Sequence, residues 1–138
     1  MSLMPGGVWL GLRCWVPLMV ARGGGAIVNT ASIAGLMGTG GAVAYGASKH
    51  GVISLTKSAA RTYASAGVRI NAVCPGYVLT PMQEAEYTPA MLEQVNASIP
   101  LGRHAAPEEI AALYAFLASD EGAYFTGAVI SIDGGETA

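Results

Sequence analysis

Charged side chains are scarce in this sequence. They make up 12% of its 138 residues, about half of the roughly 25% that is usual in soluble domains. The net charge is -2 and the isoelectric point is about 5.6, which argues against the strongly basic surface typical of nucleic-acid binding. With so few charges, we expect part of the surface to be covered by partner subunits or by further chain.

Cysteine is also scarce, and histidine shows no metal-binding pattern. The two cysteines, Cys14 and Cys74, lie within apolar runs, and we expect both to be buried, reduced thiols of a cytoplasmic protein rather than a disulfide. His50 and His104 have no partners at the spacing of a metal site. No metal is therefore expected.

The sequence lacks an uninterrupted hydrophobic run that suits a membrane span. The most apolar stretch, residues 3–21, contains three glycines, Arg13 and Pro17. A spanning helix needs about 20 mostly apolar residues without a charged centre. We interpret the stretch as a buried helix and expect no membrane partner.

Short apolar runs alternate with longer stretches that favour helices. Two of these runs are rich in branched residues and are bounded by glycine or proline, as is typical of strands buried on both faces. The predicted order is helix 5–20, strand 26–30, helix 43–66, strand 68–74, one or two short helices within 82–99, helix 107–118 and strand 128–132. Such alternation predicts one α/β domain with a parallel sheet covered by helices.

Candidate functional residues follow two of the predicted strands. Ser32 comes directly after the first strand, and Pro75 and Gly76 follow the second. Tyr45 and Lys49 are four residues apart on the long predicted helix, so they share one face. Ligands of open α/β sheets bind outside the carboxyl ends of the strands. The sequence therefore predicts that these residues meet in one crevice.

Four blocks of sequence are similar, in order and spacing, to those of the short-chain dehydrogenase/reductase family. They are residues 27–32 (IVNTAS), 45–49 (YGASK), 69–80 (RINAVCPGYVLT) and 107–135, and the likeness covers nearly all of residues 7–135. The resemblance implies the second half of a Rossmann-like doubly wound fold. It also implies an oxidoreductase that transfers a hydride between NAD or NADP and a small carbonyl or secondary alcohol.

The resemblance implies a catalytic role for three residues. Tyr45 would be the general acid/base at the substrate oxygen, Ser32 would orient that oxygen, and Lys49 would supply a positive charge that favours the phenolate. Each residue has a structural alternative. Ser32 could cap a turn, Tyr45 could lie in an interface, and Lys49 could be solvated.

Cofactor contacts are implied by the same likeness. The residues that would lie along the nicotinamide and its ribose are Tyr45, Lys49, Pro75, Gly76, Val78 and Thr80. Thr80 precedes a proline, so it could instead be a simple helix cap. The more polar segment 82–99 would form a lid over the substrate.

The sequence departs from the family pattern at its start. It contains no Gly-x-x-x-Gly-x-Gly phosphate loop, so we expect only the catalytic half, in one segment spanning 1–138, with weak or absent NAD(P) binding by this chain alone. The strand at 26–30 would then have an unpaired edge. Two explanations stay open: a truncated reductase, or a half-length relative that acts as an assembly piece.

Subunit association is the last expectation. The helices near 8–19 and 43–66 are apolar around most of their circumference, which indicates that each is buried on more than one side. One side would cover the sheet and the other would pair with a second subunit about a two-fold axis. The family resemblance likewise implies a homodimer or homotetramer.

Overall fold

A computed structural model describes residues 4–138. Its helices are α1 (Met4–Ala21), α2 (Val43–Tyr63), α3 (Pro81–Glu86), α4 (Pro89–Ser98) and α5 (Pro107–Ala118), and its strands are β1 (Gly25–Thr30), β2 (Val68–Pro75) and β3 (Val129–Ile132). Short 3₁₀ turns occur at Ile33–Gly35, Ala64–Ala66 and Asp120–Gly122. The predicted elements are confirmed, and the segment 82–99 contains two short helices rather than one.

The three strands form one parallel sheet in the order β1-β2-β3. Gly25 lies opposite Val68, and the register continues along β1 to the pair Thr30 and Val73. On the other side of β2, Ala72 lies opposite Val129. The predicted parallel α/β fold is confirmed, and within the described sheet β1 has one unpaired edge, as expected.

The central strand β2 supplies most of the core. Val68, Ile70 and Cys74 are fully buried, and these even-numbered positions pack against α1 and α2 in two neighbouring clusters. Side chains alternate between the faces of a strand, so the odd-numbered positions Arg69 and Asn71 point to the opposite face. A strand covered on both faces explains the continuous apolar run in the sequence.

Arg69 ties β2 to the end of α5. Its Nη1 donates to the carbonyl oxygens of Leu117 and Gly122, both at 2.8 Å, and its Nη2 donates to that of Ser119 at 3.0 Å. The last carbonyl groups of a helix have no partner within the helix and carry partial negative charge. One guanidinium therefore satisfies several of these groups and anchors the turn that leads to β3.

Glycines permit a close crossing of two chain segments at the amino ends of β1 and β2. Gly67 has φ 77°, a left-handed conformation that follows the 3₁₀ turn after α2, and a Cβ there would come within 2.8 Å of the Gly23 carbonyl oxygen. A Cβ on Gly24 would come within 2.7 Å of the Gly67 carbonyl oxygen. The helix terminator predicted at Gly67 is thus confirmed and has a second, steric reason.

The outer face of α1 differs from the interpretation of a buried helix. Leu12 and Val16 pack on the core, whereas Trp9, Trp15 and Leu18 are more than two-fifths exposed. Cys14 is exposed as well, so the expectation of two buried thiols is wrong for it, while Cys74 is buried. Cys14 lies on the side of α1 that faces away from the sheet. Both cysteines are free thiols.

Helix α2 is less apolar than expected. Its outer positions Ser54, Lys57, Ser58 and Arg61 are exposed and polar, so the prediction of an apolar surface around most of the circumference holds for α1 but is wrong for α2. No helix within residues 4–138 is long and apolar enough to span a membrane.

Two surface grooves border α1. The first, which we call the helix groove, lies between α1 and α2 and is lined by Trp9, Leu12, Arg13, Pro17, Leu55, Ser58, Ala59, Thr62 and Tyr63. The second, the edge groove, lies between α1 and β1 and is lined by Gly7, Val8, Gly11, Leu12, Trp15, Met19, Ala26, Ile27 and Asn29.

Candidate active site

A cavity opens where β1 and β2 end and α2 begins. This strand-end cavity has a volume of about 440 Å³, within the range of about 300–1,000 Å³ that is typical of small-molecule sites. Its lining residues are Ser32, Ile33, Ala34, Met37, Gly38, Thr39, Gly40, Tyr45, Gly76, Tyr77, Gln83 and Glu136. The cavity lies at the strand ends, where the sequence predicted a crevice.

Ser32 enters this cavity from the end of β1. Its Oγ accepts a hydrogen bond from the Ala34 backbone N–H at 3.1 Å and caps the 3₁₀ turn Ile33–Gly35. That turn packs closely against α2, since a Cβ on Gly35 would come within 2.9 Å of the Lys49 carbonyl oxygen. The capping alternative is therefore observed for Ser32, and the same contact fixes its hydroxyl beside the cavity.

Tyr45 and Lys49 lie one helical turn apart on the first half of α2. Tyr45 is 40% exposed and lines the cavity, whereas Lys49 is only 7% exposed. The Lys49 Nζ lies 5.5 Å from the centroid of the Tyr45 ring and donates to the Thr30 carbonyl oxygen at 3.2 Å. The solvated alternative for Lys49 is thereby excluded. The buried Lys49 ammonium therefore lies close to the Tyr45 phenol, which lines a ligand-sized cavity.

The segment after β2 is placed partly at the cavity. Gly76 lines it, and a Cβ at this position would come within 2.9 Å of the Asp133 Cβ, so glycine lets the two chain segments approach. Val78 pairs with Ala105 in an isolated parallel bridge. The predicted residues Lys49, Pro75, Val78 and Thr80 are not among the described residues that line the cavity.

Thr80 takes the alternative role that the sequence left open. Its Oγ1 accepts from the Gln83 backbone N–H at 3.4 Å and caps α3, with Pro81 at the first helical position. Proline suits this position because its missing N–H would have no partner there. The cap places Gln83 at the cavity wall.

Two lining residues, Glu136 and Gln83, were not predicted from the sequence. The Glu136 Oε2 and the Gln83 Oε1 atoms are buried and have no hydrogen-bond partner among the described residues. Burial raises the pKa of Glu136, and the nearby charge of Asp133 raises it further. Burial likewise raises the pKa of Tyr77, and the charge of Glu136 adds to that shift.

Asp133 holds the chain end that carries Glu136. Its carboxylate accepts from the backbone N–H groups of Gly135 and Thr137, at 3.0 Å and 3.1 Å, and from the Thr137 hydroxyl. These contacts fold the last residues back toward Gly76 and the cavity. The only signal in the sequence was the Asp-Gly-Gly turn, which does not indicate where the following side chain points.

The histidines contribute no metal site within residues 4–138, where no group of three or more candidate ligands occurs. His104 is buried, its Nδ1 contacts the Asn96 Oδ1, and its ring meets Tyr77 edge to face. The His50 Nδ1 lies 2.9 Å from the Gly46 carbonyl oxygen on α2.

The sequence is similar to those of known proteins. The family described as enoyl-(acyl carrier protein) reductase matches residues 1–137. The cyclohexanol dehydrogenase of Acinetobacter sp. (strain SE19) is 48% identical over 130 residues, which are 94% of this chain and 50% of that protein. The 3-oxoacyl-(acyl-carrier-protein) reductase FabG of Thermotoga maritima is also 48% identical, over 87% of this chain and 48% of its own length.

A solved structure has the same architecture at high similarity. The crystal structure of levodione reductase superposes with a TM-score of 0.90 at 40% sequence identity, covering 94% of this chain and 53% of that one. The chain thus spans about half the length of the relatives that it matches.

Proposed function

The chain belongs to the short-chain dehydrogenase/reductase family, and from that premise we propose that it carries the proton-transfer side of a site for hydride transfer between NAD(P) and a carbonyl or secondary alcohol. The observation that carries this proposal is the arrangement at the strand-end cavity. Ser32 and Tyr45 line one ligand-sized space, and the buried Lys49 ammonium lies beside the Tyr45 ring.

The three side chains divide the work at the substrate oxygen. In the reductive direction the Tyr45 hydroxyl donates its proton to the oxygen of the carbonyl, and in the oxidative direction the phenolate accepts the alcohol proton. The Lys49 ammonium lies 5.5 Å from the centroid of the Tyr45 ring, beside the place of proton transfer. The Ser32 hydroxyl donates a hydrogen bond that orients the same oxygen. NAD(P), when bound, supplies or accepts the hydride at the adjacent carbon.

Lys49 also fits the contact to a nicotinamide ribose that we propose for it. A lysine ammonium has three N–H donors, and the described residues provide one acceptor for it, the Thr30 carbonyl oxygen. The other donors suit ribose hydroxyl oxygens. We propose that Tyr45, Pro75, Gly76, Val78 and Thr80 complete the nicotinamide side, although the sequence contains no Gly-x-x-x-Gly-x-Gly loop for the pyrophosphate.

The proposal can be tested by measuring turnover of this chain after it is joined to a dinucleotide-binding half. The chain would be joined to the half of the Acinetobacter cyclohexanol dehydrogenase that it does not match, and formation of reduced nicotinamide would be followed with cyclohexanol and other secondary alcohols. We expect oxidation of at least one alcohol. A joined protein that binds NAD(P) but oxidises none of them contradicts the proposal.

Cofactor affinity of the 138 residues by themselves should be weak. Pyrophosphate recognition relies on a glycine-rich turn and the start of the helix that follows it, and this sequence contains no such motif. Calorimetric titration of the chain with NADH and NADPH is expected to show no binding at micromolar concentrations. Micromolar affinity would contradict this and would indicate that a neighbouring subunit supplies a phosphate site.

A second candidate function, as an assembly piece, is favoured by the exposed apolar face of α1. Trp9, which is 46% exposed, stacks beneath the Arg13 guanidinium at 5.2 Å and lines the helix groove with Leu55 and Tyr63. Large exposed apolar patches mark interaction sites. We propose that this groove pairs with its own copy across a two-fold axis, in a homodimer or a homotetramer.

Sedimentation of the chain at micromolar concentration tests the assembly. We expect a dimer or tetramer, and we expect Trp9→Glu to shift the population to monomer, because a carboxylate would be desolvated in the interface. The control is Tyr124→Glu, which changes a fully exposed aromatic residue that lines neither groove. A monodisperse monomer of the unchanged chain would contradict this assembly.

A further inference from the structure

The strand-end cavity has an apolar part and an acceptor-rich part. Ile33, Ala34 and Met37 line it on the loop that follows β1, whereas Gln83 and Glu136 contribute to its wall from α3 and from the chain end. Glu136 is the only residue with a formal charge among the described lining residues. A ligand in this space therefore meets apolar surface and a carboxylate together.

The two acceptors are positioned by contacts that a mobile surface residue would lack. The Asp133 carboxylate, bound to Gly135 and Thr137, turns the chain so that Glu136 points back to the cavity. The Glu136 Oε2 would lie 3.3 Å from a Cβ on Gly76, which places the carboxylate directly beside the end of β2. Gln83 is positioned by the Thr80 cap at the start of α3.

Buried oxygen atoms without a donor are costly in a folded protein. Nearly all buried polar groups find a partner, and the exceptions call for an explanation, which at a ligand site is the ligand itself. Here two oxygens, Glu136 Oε2 and Gln83 Oε1, occur in one cavity without a donor among the residues that the structure describes. A carboxylate oxygen and an amide oxygen can each only accept a hydrogen bond. The same cavity contains the Ser32 and Tyr45 hydroxyls.

We infer that the substrate carries a second hydrogen-bond donor, a hydroxyl or an ammonium group, which binds Glu136 and Gln83 while the reacting carbon faces Ser32 and Tyr45. The inference rests on the proposed function, because it names the substrate class of the same cavity. Substrates with a carboxylate at that place are selected against, since two like charges would be brought together.

Four probes on one ring separate these chemistries. They are cyclohexanol, cyclohexane-1,4-diol, 4-aminocyclohexanol and 4-hydroxycyclohexanecarboxylate. Each would be titrated into the ¹⁵N-labelled chain, and the backbone amides of Ser32, Ala34 and Gly76 would report binding at the cavity. We expect the diol, the amino alcohol or both to bind about tenfold more tightly than cyclohexanol, as a hydrogen bond to a charged group allows. The carboxylate should bind most weakly.

Glu136→Gln distinguishes recognition by the carboxylate from a general preference for polar ligands. It should reduce the advantage of the donor-bearing probes to about threefold or less and should strengthen binding of the carboxylate probe. Gln83→Met, of similar size, should weaken the donor-bearing probes by a smaller factor. Glu84→Gln, which changes an exposed carboxylate on α3, is the control and should leave all four affinities unchanged.

The results assign the donor or overturn the inference. A preference for the amino alcohol identifies an ammonium group, and a preference for the diol identifies a hydroxyl. The inference is overturned if cyclohexanol binds as tightly as both donor-bearing probes, if Glu136→Gln leaves the order unchanged, or if no cavity amide shifts with any probe. Because these titrations need neither cofactor nor turnover, failure here is distinct from failure of the joined protein to oxidise alcohols.

Discussion

Tyr45→Phe is expected to lower turnover of the chain joined to its dinucleotide half by about 10²–10⁴-fold, the usual contribution of a positioned general acid or base. The substitution removes one oxygen atom and keeps the ring that lies beside Lys49. Binding of NAD(P) should therefore be largely intact. Stopped-flow measurement of reduced nicotinamide would follow the loss, and calorimetry would follow the affinity.

The control for this substitution is Tyr124→Phe, which removes the hydroxyl of a fully exposed tyrosine that does not line the cavity. It should leave turnover unchanged. If Tyr45→Phe retained more than about a tenth of the activity, Tyr45 would not be the general acid/base. The interface alternative for this residue would then be tested by sedimentation of the same variant.

Arg69→Met is expected to destabilise the fold by about 3 kcal/mol. The substitution keeps the aliphatic stem but removes donors from three carbonyl oxygens near the end of α5. A hydrogen bond to a charged group has a net value of about 1.5–3 kcal/mol. Because all three contacts are only part-buried, water can replace some of them, and the expected total is below their simple sum. For a chain of this size the midpoint of thermal unfolding should fall by roughly 10 °C. Calorimetry or circular dichroism would measure the shift.

Arg22→Met provides the matched comparison, because Arg22 is exposed in the turn after α1. A surface substitution of this kind changes stability by about 0.5 kcal/mol or less. Equal shifts for the two variants would mean that loss of positive charge, rather than loss of the contacts at α5, determines the effect. Arg69 would then have no special role in anchoring the turn before β3.

The order and type of the elements could be predicted because each rests on a local pattern. The branched run of β2, bounded by Gly67 and Pro75, predicts a buried strand, and the structure contains that strand at the centre of the sheet. The spacing of Tyr45 and Lys49 on α2 predicts a shared face for the same reason. Such features require no knowledge of distant contacts.

Other features depend on contacts that no local pattern encodes. Cys14 lies in a mostly apolar stretch, yet the helix has more apolar surface than β2 and α2 can cover, so the thiol is exposed. Lys49 is buried, and its ammonium donates a hydrogen bond to the Thr30 carbonyl oxygen at the end of β1. Glu136 reaches the cavity only through the turn held by Asp133, more than a hundred residues after Ser32.

The two tryptophans of α1 allow binding in the two grooves to be followed by the fluorescence of the chain itself. Trp9 lines the helix groove and Trp15 lines the edge groove, and no other tryptophan occurs in the sequence. Indole emission shifts to shorter wavelength when water is excluded from the ring. In the Trp15→Phe variant only Trp9 emits, so a change in emission reports association through the helix groove. In the Trp9→Phe variant only Trp15 emits, so a change reports the binding of a further chain segment in the edge groove beside β1. Events at the strand-end cavity, which contains no indole, leave both signals unchanged.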